Sequence, residues 1–163
     1  MVVDVAFEER YWYPEDGGVV WVAGYHVLDP ESGRYLGRDA PELTALGVRV
    51  AGVAGAAAHH ADALASPGVE PGRPLGLRRD PDNPHDPNAI AVHVASEPPA
   101  QVGWVPRTIA VEVAPDLDAG ATWSAIVLRE HRASPRDPRS GLTMLLARDG
   151  EIELRVHARH GRR

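Results

Sequence analysis

The segment RRDPDNPHDPNAIAV, residues 78–92, places a polar loop between two apolar stretches. Its central nine residues, 80–88, include three prolines and five Asp or Asn. Because proline fixes its own φ and Asp or Asn side chains bond nearby backbone amides, such a loop has little conformational freedom. The flanking residues PLGLRRD (74–80) and AIAVHVA (89–95) show the apolar, partly alternating pattern of strands. The segment therefore predicts two strands joined by a stiff polar connection.

Strand-like stretches lie on both sides of this segment, separated by Gly- and Pro-rich turn signals. They are GVVWVAGYHV (18–27) with a short return strand at 34–36, VRVAGVAG (48–55), and residues 101–105, 123–130, 142–148 and 151–158. The last two are expected to pair through Asp149-Gly150, a dipeptide typical of tight hairpins. Two short helices are expected, at 56–65 and at 106–115, each ended by a proline signal.

These elements predict a mainly β (α+β) fold without the long crossovers of a doubly wound sheet. We expect a small OB-like β-barrel of about six strands with two short helices, and an N-terminal β-hairpin extension. Two regions are predicted: an acidic, aromatic extension over 1–47 and a domain over 48–163 whose core spans 48–148. The extension contains 9 acids and 3 Arg, whereas the remainder contains 14 acids and 14 Arg, so the net charge of −6 comes from the extension.

Composition excludes several classes of function. The chain has no Cys and no Lys, which excludes disulfides, thiolate–zinc sites and Lys-dependent chemistry. No apolar run approaches the roughly 20 residues of a membrane span. The first ten residues are acidic where a secretory signal is basic, so a soluble cytoplasmic protein that does not enter a membrane is expected. No catalytic motif is present, and we expect no enzyme activity and no cofactor.

Metal binding is not predicted either. The acidic loop has Pro84, His85 and Ala91 at positions where a calcium loop needs a ligand, Gly and Glu. His59 and His60 are adjacent on a predicted helix, so their side chains point about 100° apart and do not easily share one ion. A metal-assisted hydrolase using these histidines with His85 and Asp86 is kept as a minor alternative.

A second segment, QVGWVPRTIA at 101–110, predicts a strand that ends in an aromatic residue and is followed by a helix. Pro106 suits the start of that helix, and its first turn contains Arg107. Free amides at a helix N-terminus together with an arginine side chain suit a phosphate group. Trp104 is able to stack on a base, although packing in the core is the more common role for such a residue taken alone.

Together, these segments resemble the HIRAN family, a module found in DNA-repair translocases of the helicase-like transcription factor type and in stand-alone bacterial proteins. The resemblance covers about residues 48–148. It includes VRVAG (48–52), PGRPL (71–75), the long motif over 77–92, and VGWVPR (102–107). It implies an OB-like barrel with two helices that binds single-stranded DNA at a free 3′ end, and it implies a repair or helicase protein as a further partner.

The resemblance also implies residue roles. Asp86 corresponds to the residue that hydrogen-bonds the terminal 3′-hydroxyl, His85 to an aromatic that stacks on a base, and Asn83 to a polar contact. Arg107 matches a basic residue that contacts phosphate, and Trp104 stands where the family uses a polar ring. Arg79 is included as a nucleic-acid-binding residue of the same loop. The chain departs from the eukaryotic members at Ala54-Gly55-Ala56, where those proteins have Arg and Tyr, and at Leu142, where they have an aromatic.

One other function remains open. The aromatic residues of the extension, Tyr11, Trp12, Tyr13 and Trp21, suggest a protein-interaction module that works through this surface and binds no nucleic acid.

Overall fold

A computed structural model describes residues 1–12 and 20–158. Nine strands form one sheet in these residues. They are β1 (Val2–Trp12), β2 (Val20–Val27), β3 (Val48–Gly52), β4 (Pro74–Arg79), β5 (Ile90–Val94), β6 (Ala100–Trp104), β7 (Trp123–Arg132), β8 (Arg139–Arg148) and β9 (Glu153–Val156). The mainly β class expected from the sequence is confirmed.

The helices are short and lie in the connections. They are α1 (Pro41–Ala45), α2 (Ala56–His59), α3 (Ala61–Leu64), a 3₁₀ turn (Pro67–Val69) and α4 (Arg107–Asp118). The single helix expected over 56–65 is thus two helical turns that meet at His60, whose φ of −136° is not helical. The expected end of α4 at Pro115 is also wrong. The amide of Ala119 bonds to the carbonyl of Pro115, so the helix continues past the proline.

Six strands follow one another in the order β3-β8-β7-β4-β5-β6, and this incompletely closed ring is consistent with the predicted OB-like barrel. It is completed by one antiparallel bridge between Ala54 and Trp104 rather than by a full ladder. The two backbone hydrogen bonds of this bridge measure 2.8 and 2.9 Å. Gly103 permits the approach, because a Cβ there would lie 2.5 Å from the carbonyl oxygen of Ala54.

Two apolar clusters lie on opposite faces of β8. Leu142, Met144 and Leu146 point into the barrel, where they pack with residues of β4 to β7 and α4. Leu145 and Ala147 point to the other side and pack against α1 and the β1–β2 hairpin. Both faces of β8 are therefore buried, which explains its continuous apolar sequence.

The N-terminal hairpin is confirmed, but it forms between β1 and β2. The expected return strand at 34–36 makes only an isolated bridge between Tyr35 and Leu28. β2 also pairs with the C-terminal half of β7, so the hairpin continues the sheet. Gly24, with φ of +148°, lies at this junction, where a Cβ would come within 2.4 Å of the carbonyl oxygen of Leu128. The boundary predicted at residue 47 stays a prediction.

The prediction that the strands on either side of Asp149-Gly150 pair with each other is wrong. Both residues do adopt the positive φ of a tight turn, 58° and 104°. However, β8 already pairs with β7 along one edge and with β3 along the other. β9 therefore has no free edge there and pairs in parallel with β1 instead.

A search for membrane-spanning helices in residues 1–12 and 20–158 finds no helix of sufficient length and apolarity.

Candidate nucleic-acid interface

The loop between β4 and β5 is held in shape by its own side chains. Asn83 Oδ1 accepts hydrogen bonds from the backbone N–H groups of His85, at 2.9 Å, and Asp86, at 3.2 Å. The Nδ2 of Asn83 donates to a carboxylate oxygen of Asp80 at 3.2 Å. At the base of the loop, the amide of Asp80 donates to the carbonyl of Ala89 at 2.9 Å. The stiffness expected from the prolines is therefore reinforced by hydrogen bonds.

The two carboxylate oxygens of Asp86 have different surroundings. Oδ1 accepts the backbone N–H of Asn88 at 2.9 Å. Oδ2 lies 3.7 Å from the Nε of Arg107, a distance that suits an ion pair but exceeds a good hydrogen bond. The Asp86 side chain is 17% exposed. One oxygen is thus fixed by the loop, while the other is open to accept a further hydrogen bond.

Arg107 joins the loop to the first turn of α4. Its Nη2 donates to the carbonyl of His85 at 2.9 Å, yet its side chain is 73% exposed. Pro106 precedes the helix and provides no side-chain cap, so the amides of Arg107 and Thr108 have no capping side chain and no intrahelical acceptor. The structure brings Asn83, His85, Asp86 and Arg107 together at one end of the barrel.

Arg79 is placed differently from the other predicted residues. Its guanidinium makes a bidentate contact with Asp118, at 2.9 and 3.1 Å, and also donates to the carbonyls of Pro87 and Ala89. The hydrogen bonds with Asp118 raise the pKa of Arg79, and those from Arg79 lower the pKa of Asp118. Arg79 therefore fastens the loop to the last turn of α4, and most of its donors are occupied.

Asp118 is the residue of this region that sequence reasoning missed. The prediction ended α4 at Pro115, which placed Asp118 in a solvated turn. In the structure the helix extends to Asp118 and presents this carboxylate to Arg79. The available signal was the absence of any other helix-ending residue before Gly120.

Trp104 is half-buried at the end of β6, three residues before the first residue of α4. It pairs with Ala91 of β5 and forms the bridge to Ala54 that completes the barrel ring. Its ring borders Gly55, where a Cβ would lie 3.7 Å from the Trp104 Cδ1 and 3.6 Å from the His59 ring. The indole is therefore located beside the end of β3.

The structure shows the surroundings of the positions where the chain departs from the eukaryotic members. Ala54 and Gly55 are exposed beside Trp104, whereas Leu142 is buried in the barrel core. His59 and His60 have ring centroids 6.4 Å apart. Within residues 1–12 and 20–158, no three His, Cys, Asp or Glu side chains are grouped as metal ligands.

Comparison with known proteins identifies the family. The model of the HIRAN domain matches residues 48–146, more than half of the chain. No protein of curated function matches the chain. Among solved structures, the HIRAN domain of human HLTF is similar, with 25% sequence identity and a TM-score of 0.44 over 62% of this chain and 75% of that chain. The chain belongs to the HIRAN family, a family associated with DNA binding.

Proposed function

We propose that this protein is a non-enzymatic nucleic-acid-binding module that holds the free 3′ end of single-stranded DNA against the loop between β4 and β5. The observation that carries the proposal is the open Oδ2 of Asp86 beside the exposed guanidinium of Arg107. A terminal hydroxyl donates a hydrogen bond to a carboxylate, and the adjacent phosphate pairs with an arginine. The 3′-terminal nucleotide of a strand presents both the hydroxyl and the phosphate.

The surrounding side chains support contacts with bases. His85 is exposed at the tip of the loop, and the half-buried Trp104 has ring surface on the same end of the barrel. Stacking on an aromatic ring contributes about 1–3 kcal/mol per base and tolerates any base. We therefore expect recognition of an end rather than of a sequence.

The overall charge sets the expected affinity. The chain has a net charge of −6, and small residues stand at Ala54-Gly55-Ala56 where eukaryotic members have Arg and Tyr. Fewer cationic and aromatic contacts mean weaker binding, so we expect dissociation constants in the micromolar range at low salt.

The test is fluorescence anisotropy with a labelled ten-nucleotide thymidine strand that ends in a 3′-hydroxyl or in a 3′-phosphate. A 3′-phosphate places negative charge against Asp86 and has no neutral hydroxyl at that position, so the hydroxyl strand should bind at least tenfold more tightly. Equal binding of the two strands would contradict end recognition, and absence of binding at 50 mM salt would contradict the proposed function as a whole.

Three variants assign the contacts. Asp86→Asn should remove most of the preference for the hydroxyl end, and Arg107→Ala should weaken binding of both strands. Arg34→Ala, which removes an exposed arginine from the turn after β2, is the matched control and should leave both affinities unchanged. A strand incubated with the protein, magnesium and ATP should remain intact, and cleavage would contradict the non-enzymatic part of the proposal.

A further inference from the structure

The N-terminal hairpin has an apolar face that extends beyond the core. On the side of β1 that carries Val3 and Val5, both residues are buried, and the next residues in the same alternation are Phe7, Glu9 and Tyr11. Phe7 and Tyr11 are 46% and 47% exposed. The face that packs inside the protein at one end of β1 is thus open to solvent at the other.

β2 adds aromatic residues to the same face. The register places Tyr25 opposite Phe7 and Trp21 opposite Tyr11, with Glu9 opposite Ala23 between them. Phe7 and Tyr25 contact edge to face, with ring centroids 5.5 Å apart. We call this surface, formed by Phe7, Glu9, Tyr11, Trp21 and Tyr25, the aromatic face. Of the other aromatics noted in the sequence, Trp12 ends β1, and Tyr13 lies outside the described residues.

Three residues of the aromatic face, Phe7, Glu9 and Trp21, line a groove of about 340 Å³. The groove is also lined by Glu70 and Pro71, just before β4, and by Glu130 and Arg132 of β7 with Arg139 of β8. Burial raises the pKa of Glu130, but hydrogen bonds from Arg139 and Arg132 outweigh it and leave this pKa below its ordinary value. Glu130 is therefore an anion whose charge is neutralised inside the protein.

The two remaining acids of the groove have no such partner. Glu9 and Glu70 are exposed, and within the described residues neither forms an ion pair. Aromatic faces attract a guanidinium or ammonium group, and a neighbouring carboxylate strengthens that attraction. The groove already shows this preference, since the guanidinium of Arg132 lies 5.9 Å from the centre of the Trp21 ring.

We propose that this groove is a docking site for an arginine- or lysine-containing segment of a partner protein, whose cation lies between Phe7 and Trp21 and pairs with Glu9. The argument is independent of the nucleic-acid site, because the aromatic face belongs to residues before 48, which the family match does not include. The two sites also lie at opposite ends of β4, since Glu70 and Pro71 precede this strand and the loop with Asp86 follows it.

The probe for the test is a fluorescein-labelled peptide of four Gly-Arg repeats, compared with one of four Gly-Gln repeats, in 150 mM NaCl. The full-length protein should bind the arginine peptide at least tenfold more tightly. Phe7→Ala and Glu9→Gln should each weaken this binding at least fivefold. Glu42→Gln, which removes an exposed acid of α1, is the matched control for charge and should change it less than twofold.

Several results would overturn the proposal. No difference between the two peptides would exclude cation recognition, and an equal effect of Glu42→Gln and Glu9→Gln would indicate diffuse attraction to an acidic protein. If Phe7→Ala does not fold by circular dichroism, Trp21→Ala tests the same groove from the neighbouring strand. A dimer in sedimentation experiments that Tyr11→Ala dissociates would identify a second copy of the chain as the occupant instead.

Discussion

At Asn83, a single side chain makes three of the hydrogen bonds that shape the loop beneath the proposed 3′ end. Its oxygen accepts from His85 and Asp86, and its nitrogen donates to Asp80. The oxygen thus fixes the backbone that positions Asp86, although Asn83 need not contact the ligand. Its role is to hold the carboxylate in place.

Asn83→Ala should lower affinity for the hydroxyl-ended strand about tenfold and destabilise the protein by about 1–2 kcal/mol, because backbone amides lose their acceptor. Asn83→Asp keeps the accepting oxygen but replaces the donor to Asp80 with a second carboxylate, so repulsion from Asp80 should offset part of the loop geometry that the oxygen retains. Urea unfolding and anisotropy measure the two effects. Full affinity in Asn83→Ala would show that the prolines alone fix the loop.

A second prediction at this scale concerns Gly103. A Cβ there would meet the Ala54 carbonyl oxygen and the Val53 side chain at 2.5 Å, so Gly103→Ala must push β6 away from β3. We expect a loss of about 2 kcal/mol or more in the free energy of unfolding. Gly141→Ala is the matched control, because a Cβ at Gly141 has nothing within 4 Å and the backbone there is not in the positive-φ region. Similar stability of both variants would contradict the role of Gly103 in closing the ring.

Among the elements, β9 is attached mainly through its contacts with β1. Arg155 contacts Asp4 with two hydrogen bonds, at 2.6 and 3.0 Å, and His157 contacts the same carboxylate. The bonds from Arg155, followed by those from His157, lower the pKa of Asp4 from 3.8 to about 2. The ionised form of Asp4 is thus the form that holds β9.

The direction of the pH effect follows from this shift. A carboxyl group with a lowered pKa in the folded state stabilises it fully above its ordinary pKa, and this contribution is lost as the pH falls from about 4 to about 2. Protection of the β9 amides in hydrogen exchange should therefore decrease over that range. In Asp4→Asn, the protection of these amides should be as low at every pH as it is in the natural protein at about pH 2. Asp39→Asn, at an exposed acid before α1, should behave like the natural protein. Unchanged protection in Asp4→Asn would mean that the backbone ladder alone holds β9.

The elements also show what the sequence could and could not predict. Alternation and turn signals located most of the strands. The polar loop and Arg107 were predicted to form one site through the resemblance to the HIRAN family, because no local pattern connects two segments about 20 residues apart. The partner of β9 depended on which edges of β8 were already occupied, which is a property of the assembled sheet. The extension of α4 past Pro115 and the pairing of Arg79 with Asp118 depended on tertiary contacts that override the local signal.

At the scale of the whole molecule, charge separates the two proposed surfaces. The exposed acids Glu9 and Glu70 line the groove and repel phosphate, whereas the proposed 3′-end site presents the exposed cation Arg107. This arrangement favours a short contact at the end of a strand over a long electrostatic track.

Salt dependence tests this arrangement. Each phosphate neutralised in a single strand contributes about −0.7 to the slope of log affinity against log salt. With one exposed arginine at the site, we expect a slope between about −0.7 and −1.4, and Arg107→Ala should make it less negative by about 0.7. A slope near −3 would indicate a longer basic track than the structure contains.

The barrel ring is completed at the bridge between Ala54 and Trp104. Five of its six junctions are ladders, but this one consists of two hydrogen bonds, so local opening should begin there. We also expect a base to stack on the ring of Trp104. A bound strand would therefore stabilise the bridge and reduce its local opening. The exchange rates of two backbone amides, those of Ala54 and Trp104, would then report on ligand occupancy without a label on either molecule.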